Sequence, residues 1–257
     1  MSSSSIWSAG RYDAVGERIA HIAERVVDAV GRRQRLDDAA VVDLACGTGS
    51  AAVAAAARGA RVTGVDLTPE LIGLAAQRAP HITWTVGDAA DTGLPPGSFD
   101  AAVSNMGIIF VEPVSQVAEI VRLLKPEGVL AFSSWVRAPS NPLFDPVIAV
   151  LGAPAAVGFS PDQWGDDALV ADRLTPHFTD LQFERDDHRW EFPSVSAALD
   201  WLQNESPMHV ATFARAGAAR QELADAFAAA LQQHAEPSGV VAFSSPYVVV
   251  SAVYRAS

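Results

Sequence analysis

Apolar positions along the first half of the chain follow two alternating rhythms. Val15, Ile19, Ile22, Val26 and Val30 recur at three- and four-residue spacing, the signature of one helix face, and Gly31 follows as a stop. Ala40–Leu44 is a short run of β-branched and apolar residues, expected as the first strand. An Ala-rich helical stretch then ends near Gly59. Arg61–Asp66 reads as a second strand, and Thr68 with Pro69 as the cap and first position of the next helix. Ile82–Val86 is a third strand. Asp91–Ser98 contains Gly, two Pro and Ser, so it is a loop. Phe99–Ser104 is a fourth strand, a helix runs from about Val114 to Leu124, and Gly128–Trp135 is a fifth strand. Strands alternating with helices predict an α/β fold with a largely parallel sheet and right-handed crossovers.

After Trp135 the rhythm changes. Pro139, Pro142, Pro146 and Pro154 interrupt a loosely helical stretch. Leu181–Phe192 reads as a strand, Ser194–Asn204 and Ala218–His234 as helices separated by a break at Pro207, and Pro246–Arg255 as a last strand. The segments before Leu181 and before Pro246 are candidates for a cap over the carboxyl ends of the strands, where ligands bind in such sheets.

Composition narrows the function classes. The 257 residues suit one α/β domain with an embedded cap. No run of about 18 apolar residues suggests a membrane span. The polar start Met1-Ser2-Ser3-Ser4-Ser5 lacks the basic and apolar regions of a signal peptide, so a cytoplasmic protein is expected. Cys46 is the single cysteine, and no His-carboxylate cluster has ligand spacing, so no metal is expected. A formal charge of -12 argues against a nucleic-acid partner, because phosphate binding needs clustered Lys and Arg.

The densest chemistry lies in Val41-Val42-Asp43-Leu44-Ala45-Cys46-Gly47-Thr48-Gly49. A strand ending in a loop of small residues, with a helix following, is the first βα turn of a nucleotide-binding sheet. Glycines there admit close approach of a ligand, and the helix aims amides at it. Asp66, at the end of the second strand, can accept from both hydroxyls of a ribose, with its side chain pointing into the ligand cleft. Leu67 beside it can pack on a purine face. In Gly87-Asp88-Ala89, the carboxylate can accept from an exocyclic amine while a neighbouring amide donates to a ring nitrogen. Ser104-Asn105-Met106-Gly107 ends the fourth strand near the first loop.

With Leu123-Leu124-Lys125-Pro126-Glu127-Gly128 added in order and spacing, the chain resembles the class I S-adenosylmethionine-dependent methyltransferases over roughly residues 36–135, and among them the small-molecule enzymes related to quinone biosynthesis. The resemblance implies a Rossmann-like, seven-stranded, mostly parallel sheet whose last strand is antiparallel, with a helical cap. It implies one domain over 1–257: an N-terminal lid and helix (1–35), a cofactor-binding core (36–135), then cap segments and a final strand pair (136–257). By resemblance, Asp43 and the backbone of Ala45, Cys46, Gly47, Thr48 and Gly49 hold the methionine part of the cofactor. Asp66 holds the ribose, Leu67 packs on adenine, Asp88 and Ala89 read its edge, and the backbone near Asn105 meets the amino group. Trp7 and Tyr12 are lid candidates. The product would be S-adenosylhomocysteine. Two positions depart from the usual pattern: Glu127 stands where a glycine is frequent, and Ala45 replaces the first glycine, a mild change if its φ stays negative.

Each position also has a plain structural use. Asp43 could brace the loop, Asp66 could be a strand-end acid, Asp88 could close an Asx turn, Cys46 is expected as a small buried residue, and Trp7 and Tyr12 could staple the leading helix. Trp164, Trp190 and Trp201 are candidates for an apolar acceptor pocket, or for core. His209, after the Pro207 break, is the candidate general base. The resulting expectation is methyl transfer to a small, apolar or aromatic molecule. The rivals are an NAD(P)-dependent oxidoreductase, since Gly47-Thr48-Gly49-Ser50-Ala51-Ala52 fits G-x-G-x-x-A, a non-catalytic adenosyl-ligand-binding module, and a nucleic-acid methyltransferase. Amino-methylating enzymes of the last kind carry a Pro-Pro-aromatic run after strand four, where this chain has Asn105-Met106-Gly107-Ile108.

Overall fold

The computed structural model describes residues 11–153 and 158–256. Seven strands form one sheet: β1 (Ala40–Leu44), β2 (Arg61–Asp66), β3 (Thr83–Val86), β4 (Phe99–Asn105), β5 (Leu124–Trp135), β6 (Phe178–Phe192) and β7 (Val241–Tyr254). Their order is β3-β2-β1-β4-β5-β7-β6. The first five pair in parallel, and β7 runs antiparallel to β5, from Val129↔Val253 to Trp135↔Tyr247. This is the expected sheet. β1 reads as a near-continuous apolar run because it is an interior parallel strand, covered on both faces.

The described helices are α1 (Tyr12–Arg18), α2 (Ala20–Gly31), α3 (Ser50–Ala56), α4 (Pro69–Arg78), α5 (Pro113–Leu123), α6 (Asp145–Leu151), α7 (Asp167–Leu174), α8 (Val195–Asn204), α9 (Pro207–Arg215) and α10 (Arg220–Gln232). The leading helix is two helices, not one. At Ile19 the backbone leaves helical geometry (φ -103°, ψ 8°), and its carbonyl accepts from the Ile22 amide and, at 3.4 Å, from Asn105 Nδ2. α2 buries Ile22, Ala23, Val26, Val27, Ala29 and Val30, the apolar face read from the spacing. Pro207 does not break a helix; it opens α9 at the first turn, where its missing N–H is unneeded. β7 begins at Val241, upstream of the expected Pro246. Pro246 immediately precedes Tyr247, the last residue paired with β5, so the β5 ladder does not require its amide.

The chain divides into two compact units. The larger comprises Gly16–Arg137, Phe159–Asp186 and Tyr247–Ser257, and holds β1–β5 and helices α2–α5 and α7. Its core joins Val41, Val42, Leu44, Val103, Leu130 and Phe132 to the buried face of α2. The smaller comprises Met1–Val15, Ala138–Gly158 and Asp187–Pro246, with α6, α8, α9 and α10. Its core is aromatic. Trp201 stands 5.7 Å from Trp190 and 5.5 Å from Phe192 between ring centroids, and Phe213 lies 5.6 Å from Phe227. Among the described residues, no helix is long and apolar enough to cross a membrane.

Candidate active site

The loop after β1 is built from left-handed backbone. Ala45, Gly47 and Gly49 have φ of +51°, +56° and +85°. The Cys46 amide donates to the Val65 carbonyl at 3.0 Å and the Gly49 amide to the Cys46 carbonyl at 2.9 Å, closing a tight turn into α3. The expectation that φ at Ala45 stays negative is therefore corrected. An L-residue there costs about 1–2 kcal/mol because Cβ approaches the following carbonyl. The neighbouring strand end accommodates it: a Cβ on Gly107 would stand 2.2 Å from the Ala45 carbonyl oxygen and 2.9 Å from the Ala45 methyl. Glu127 also adopts positive φ (+64°), the physical reason a glycine suits that position.

Two acids lie beneath this loop. Asp43 is fully buried; its Oδ2 accepts from the Ala52 amide of α3 at 2.8 Å, while its Oδ1 has no partner. Burial pushes its carboxyl up to about 8; the Ala52 bond opposes the shift and the nearby charge of Asp66 adds to it. Asp66 is buried rather than extended into an open cleft. Its Oδ2 accepts from the Gly47 amide at 2.8 Å and its Oδ1 from the Thr68 amide at 2.9 Å. Each carboxylate oxygen keeps further acceptor capacity. Asp66 thus locks the first loop to the second.

The residues expected to meet adenine lie at the ends of β2 and β3 and in the loop that follows. Leu67 and Val86, at the ends of β2 and β3, are 45% and 51% exposed, an unusual display of apolar surface at two adjacent strand ends. Asp88 is exposed and its Oδ1 accepts from the Ala90 amide at 2.9 Å, the Asx turn. Ala89 is buried, and its carbonyl accepts from Gln116 Nε2 at 3.0 Å. At the end of β4, Asn105 Nδ2 reaches Ser50 Oγ and the Ile19 carbonyl, both at 3.4 Å, and Asn105 Oδ1 accepts from Ser133 Oγ at 2.7 Å.

Sequence reasoning missed three contributors. Trp84 wedges its ring beneath the loop: a Cβ on Gly49 would come within 2.2 Å of it, and one on Gly64 within 2.4 Å. Ser133 receives the Met106 amide at 3.0 Å and fixes Asn105. Gln116 is buried on the inner face of the helix over Pro113–Leu123, beside buried Glu119. Only Trp84, a bulky residue in register with Gly64, left a trace in the sequence.

A family described as a methyltransferase domain matches residues 42–132, the stretch from β1 through β5 that carries this geometry. This stretch is a class I S-adenosylmethionine-dependent methyltransferase domain. The chain is 29% identical over 219 residues to a nocamycin O-methyltransferase of Saccharothrix syringae, covering 75% of this chain and 77% of that one. Among solved structures, an Anaeromyxobacter dehalogenans protein described as a type II methyltransferase is 25% identical, with a TM-score of 0.59 over 90% of this chain and 94% of that one. The fold also matches Haemonchus contortus phosphoethanolamine N-methyltransferase 2 in complex with S-adenosyl-L-methionine (18% identity, TM-score 0.56, 90% of this chain and 52% of that one).

Other expected site residues of the methyltransferase have different places. His209 does not stand as a free base. Its Nε2–H donates to the Leu143 carbonyl at 2.8 Å, so Nδ1 is the acceptor for Ser206 Oγ at 2.7 Å. Burial holds its pKa below the usual histidine value, partly opposed by the Leu143 bond. Nε2 ties α9 to residue 143 and Nδ1 is held by Ser206 at the start of the same helix, so neither nitrogen carries a free lone pair. The three tryptophans are buried core residues. Trp164 is buried in the larger unit, 5.3 Å edge-on to Phe132, while Trp190 and Trp201 belong to the aromatic core of the smaller one. Cys46 is buried and its thiol pushed up by burial and by the charges of Asp43 and Asp66, the profile of a packing residue. Trp7 lies outside the described residues, as does the side chain of Tyr12. Among the described residues, no group of three His, Cys, Asp or Glu could hold a metal.

Proposed function

We propose that this methyltransferase moves the methyl group of S-adenosylmethionine to a small, mostly apolar or aromatic acceptor, in the cytoplasm and without a metal. The observation that carries the assignment of the cofactor residues is Asp66, anchored to Gly47 and Thr68, with exposed Leu67 and Val86 beside it. A ribose diol on that carboxylate would place the purine between the two apolar side chains, its edge toward Asp88 and Ala89. The unpartnered, buried Oδ1 of Asp43 and the amides at the start of α3 suit the polar end of the same ligand, near Asn105. When bound, the cofactor supplies a methyl group already activated by its sulfonium. The chain's part is alignment and exclusion of water. A net charge of -12 weighs against a polyanionic acceptor. The relative from Saccharothrix is named for methylation at oxygen, so hydroxyl acceptors are the first class to screen.

Calorimetric titration with S-adenosylhomocysteine beside NAD tests the reading; saturable NAD binding with no response to the adenosyl ligand would overturn it. Asp66→Ala removes charged hydrogen bonds worth roughly 1.5–3 kcal/mol, so affinity should fall about ten- to a hundredfold or more. The melting temperature should fall as well, because Gly47 and Thr68 lose their acceptor.

A further inference from the structure

The loop after β1 has two glycines at positive φ, Gly47 and Gly49, and glycine has the widest backbone freedom of any residue. The first half of the loop is tied to β2. The Cys46 amide donates to the Val65 carbonyl at 3.0 Å, and the Gly47 amide to Asp66 Oδ2 at 2.8 Å. The far end is held differently. The Gly49 amide turns back to the Cys46 carbonyl within the loop, and the Gly49 carbonyl accepts from the Val53 amide of α3, both at 2.9 Å. Neither bond ties Gly49 to the sheet. Beyond it, Ser50 Oγ meets Asn105 Nδ2 at 3.4 Å, and the Ala52 amide reaches Asp43 at 2.8 Å. The indole of Trp84 bears on Gly49 directly. A Cβ on Gly49 would collide with Cη2, at the tip of the ring, and one on Gly64 with Cζ3 and Cε3, along the adjoining edge. The ring therefore lies on β2 with its tip against Gly49. At its other edge, Nε1 donates to the Ala79 carbonyl at 2.9 Å, so the ring is held at both ends. A glycine inside a strand is destabilising and marks the close approach of another group. At Gly64 that group is an indole whose tip ends on the loop.

We propose that Trp84 is a positioning residue for the amino-acid end of the cofactor: by seating Gly49, its ring preorganises the loop that receives that end. The inference rests on the cofactor reading above. Trp84 acts through the loop. It pairs with Gly64, while Val86 pairs with Asp66, so the indole stands two residues, about 7 Å, behind the strand ends that meet the ribose and purine. A loop already held in its binding geometry loses little freedom when the ligand arrives. A loop with a slack glycine loses more, and affinity falls by the difference. The adenine and ribose contacts, carried by β2, β3 and the turn after β3, do not depend on where Gly49 sits.

The test is calorimetric titration with two probes that share adenine, ribose and sulfur, S-adenosylhomocysteine and 5′-methylthioadenosine. Only the first carries the amino-acid end. Trp84→Phe keeps an aromatic ring over Gly64 and withdraws the tip from Gly49. It should lose about tenfold in affinity for S-adenosylhomocysteine, the equivalent of ordering one residue's backbone on binding. Its affinity for methylthioadenosine should stay within about twofold of wild type. Trp84→Leu should behave alike and serves if the Phe variant does not fold. Melting temperatures should fall in both variants whatever the role of the ring, so the split between probes is the deciding readout. A purely space-filling ring would leave both affinities unchanged in the folded protein, and a ring that supports the purine would lower both equally. Either result overturns the inference and leaves the cofactor reading standing, as does wild-type protein that binds S-adenosylhomocysteine no more tightly than methylthioadenosine. Wild-type protein that binds neither probe would overturn both.

Discussion

The strand-end loops of the larger unit and the helical core of the smaller one are both buried, but by opposite means. Around β1–β3 the interior is polar and directional. Asp43, Asp66, Gln116 and Glu119 each bind a specific backbone atom, and Ala45, Gly47, Gly49 and Met106 take left-handed φ. In the smaller unit the interior is a set of rings. Trp190, Phe192, Trp201 and Phe243 pack with centroids 5.5–6.5 Å apart, and Trp190 Nε1 donates to Ser245 Oγ at 3.0 Å. The first kind of interior specifies where atoms are. The second specifies how much volume is filled. A change in the first should alter what the protein binds, and a change in the second should alter how firmly it folds.

The largest effect expected from this contrast is at Trp201. Trp201→Ala removes a ring that touches Trp190, Phe192 and His209, and should cost about 3–5 kcal/mol of stability in denaturant unfolding. Affinity for S-adenosylhomocysteine, measured where the variant is folded, should stay within about twofold. A collapse of affinity would break the division between the two interiors.

Asp43 sharpens it from the other side. Burial holds its carboxyl at about 8 in the folded chain, far above its ordinary value of 3.8. The folded chain therefore holds a proton that the unfolded chain releases, so this group's contribution to stability falls as pH rises from about 4 to about 8 and is flat above. Asp43→Asn should remove that decline and make the ligand-free protein more stable than wild type at pH 8, while weakening cofactor binding. Thermal melts across pH, paired with calorimetry, check both halves. A variant less stable than wild type at pH 8 would contradict the unpartnered state of Oδ1.

The smallest expected effect is a gain. Ala45→Gly relieves an L-residue at φ +51°, offset by the greater freedom of glycine in the unfolded chain, for a net stabilisation of about 0.5–1 kcal/mol. Equal stability of the two forms would mean that the Gly107 contact already absorbs the strain.

These same contrasts explain what could be read from the sequence. β1 and β2 were legible to the residue because a β-branched run ending in Asp and a small-residue loop is a local signal. Asp43, Asp66, Asp88 and Asn105 were placed by that order, and the structure brings them to neighbouring strand ends. The sign of φ at Ala45 was not legible, since it depends on Gly107 arriving from β4. Gln116 was hidden because its partner, Ala89, meets it only after the sheet forms. His209 misled for the same reason: its ring is satisfied by Leu143, a carbonyl distant in the chain, and a histidine after a proline carries no mark of that. α9 was read as a gap because Pro207 starts a helix as readily as it ends one.

The Trp84 wedge constrains the routes by which this protein can change. Gly64 lies inside a strand, where a β-branched residue would serve better, but the indole above it forbids one, with Cys46 Sγ a further 3.2 Å neighbour of the same position. A lineage must therefore shrink residue 84 before it can enlarge residue 64, and the intermediate carries a void beneath the first turn of α3. The reverse order meets a direct collision at 2.4 Å. Substitutions that are each acceptable in the final pair are thus accessible in one sequence of steps and closed in the other, and a library that randomises positions 64 and 84 together should recover combinations that neither single-site library contains.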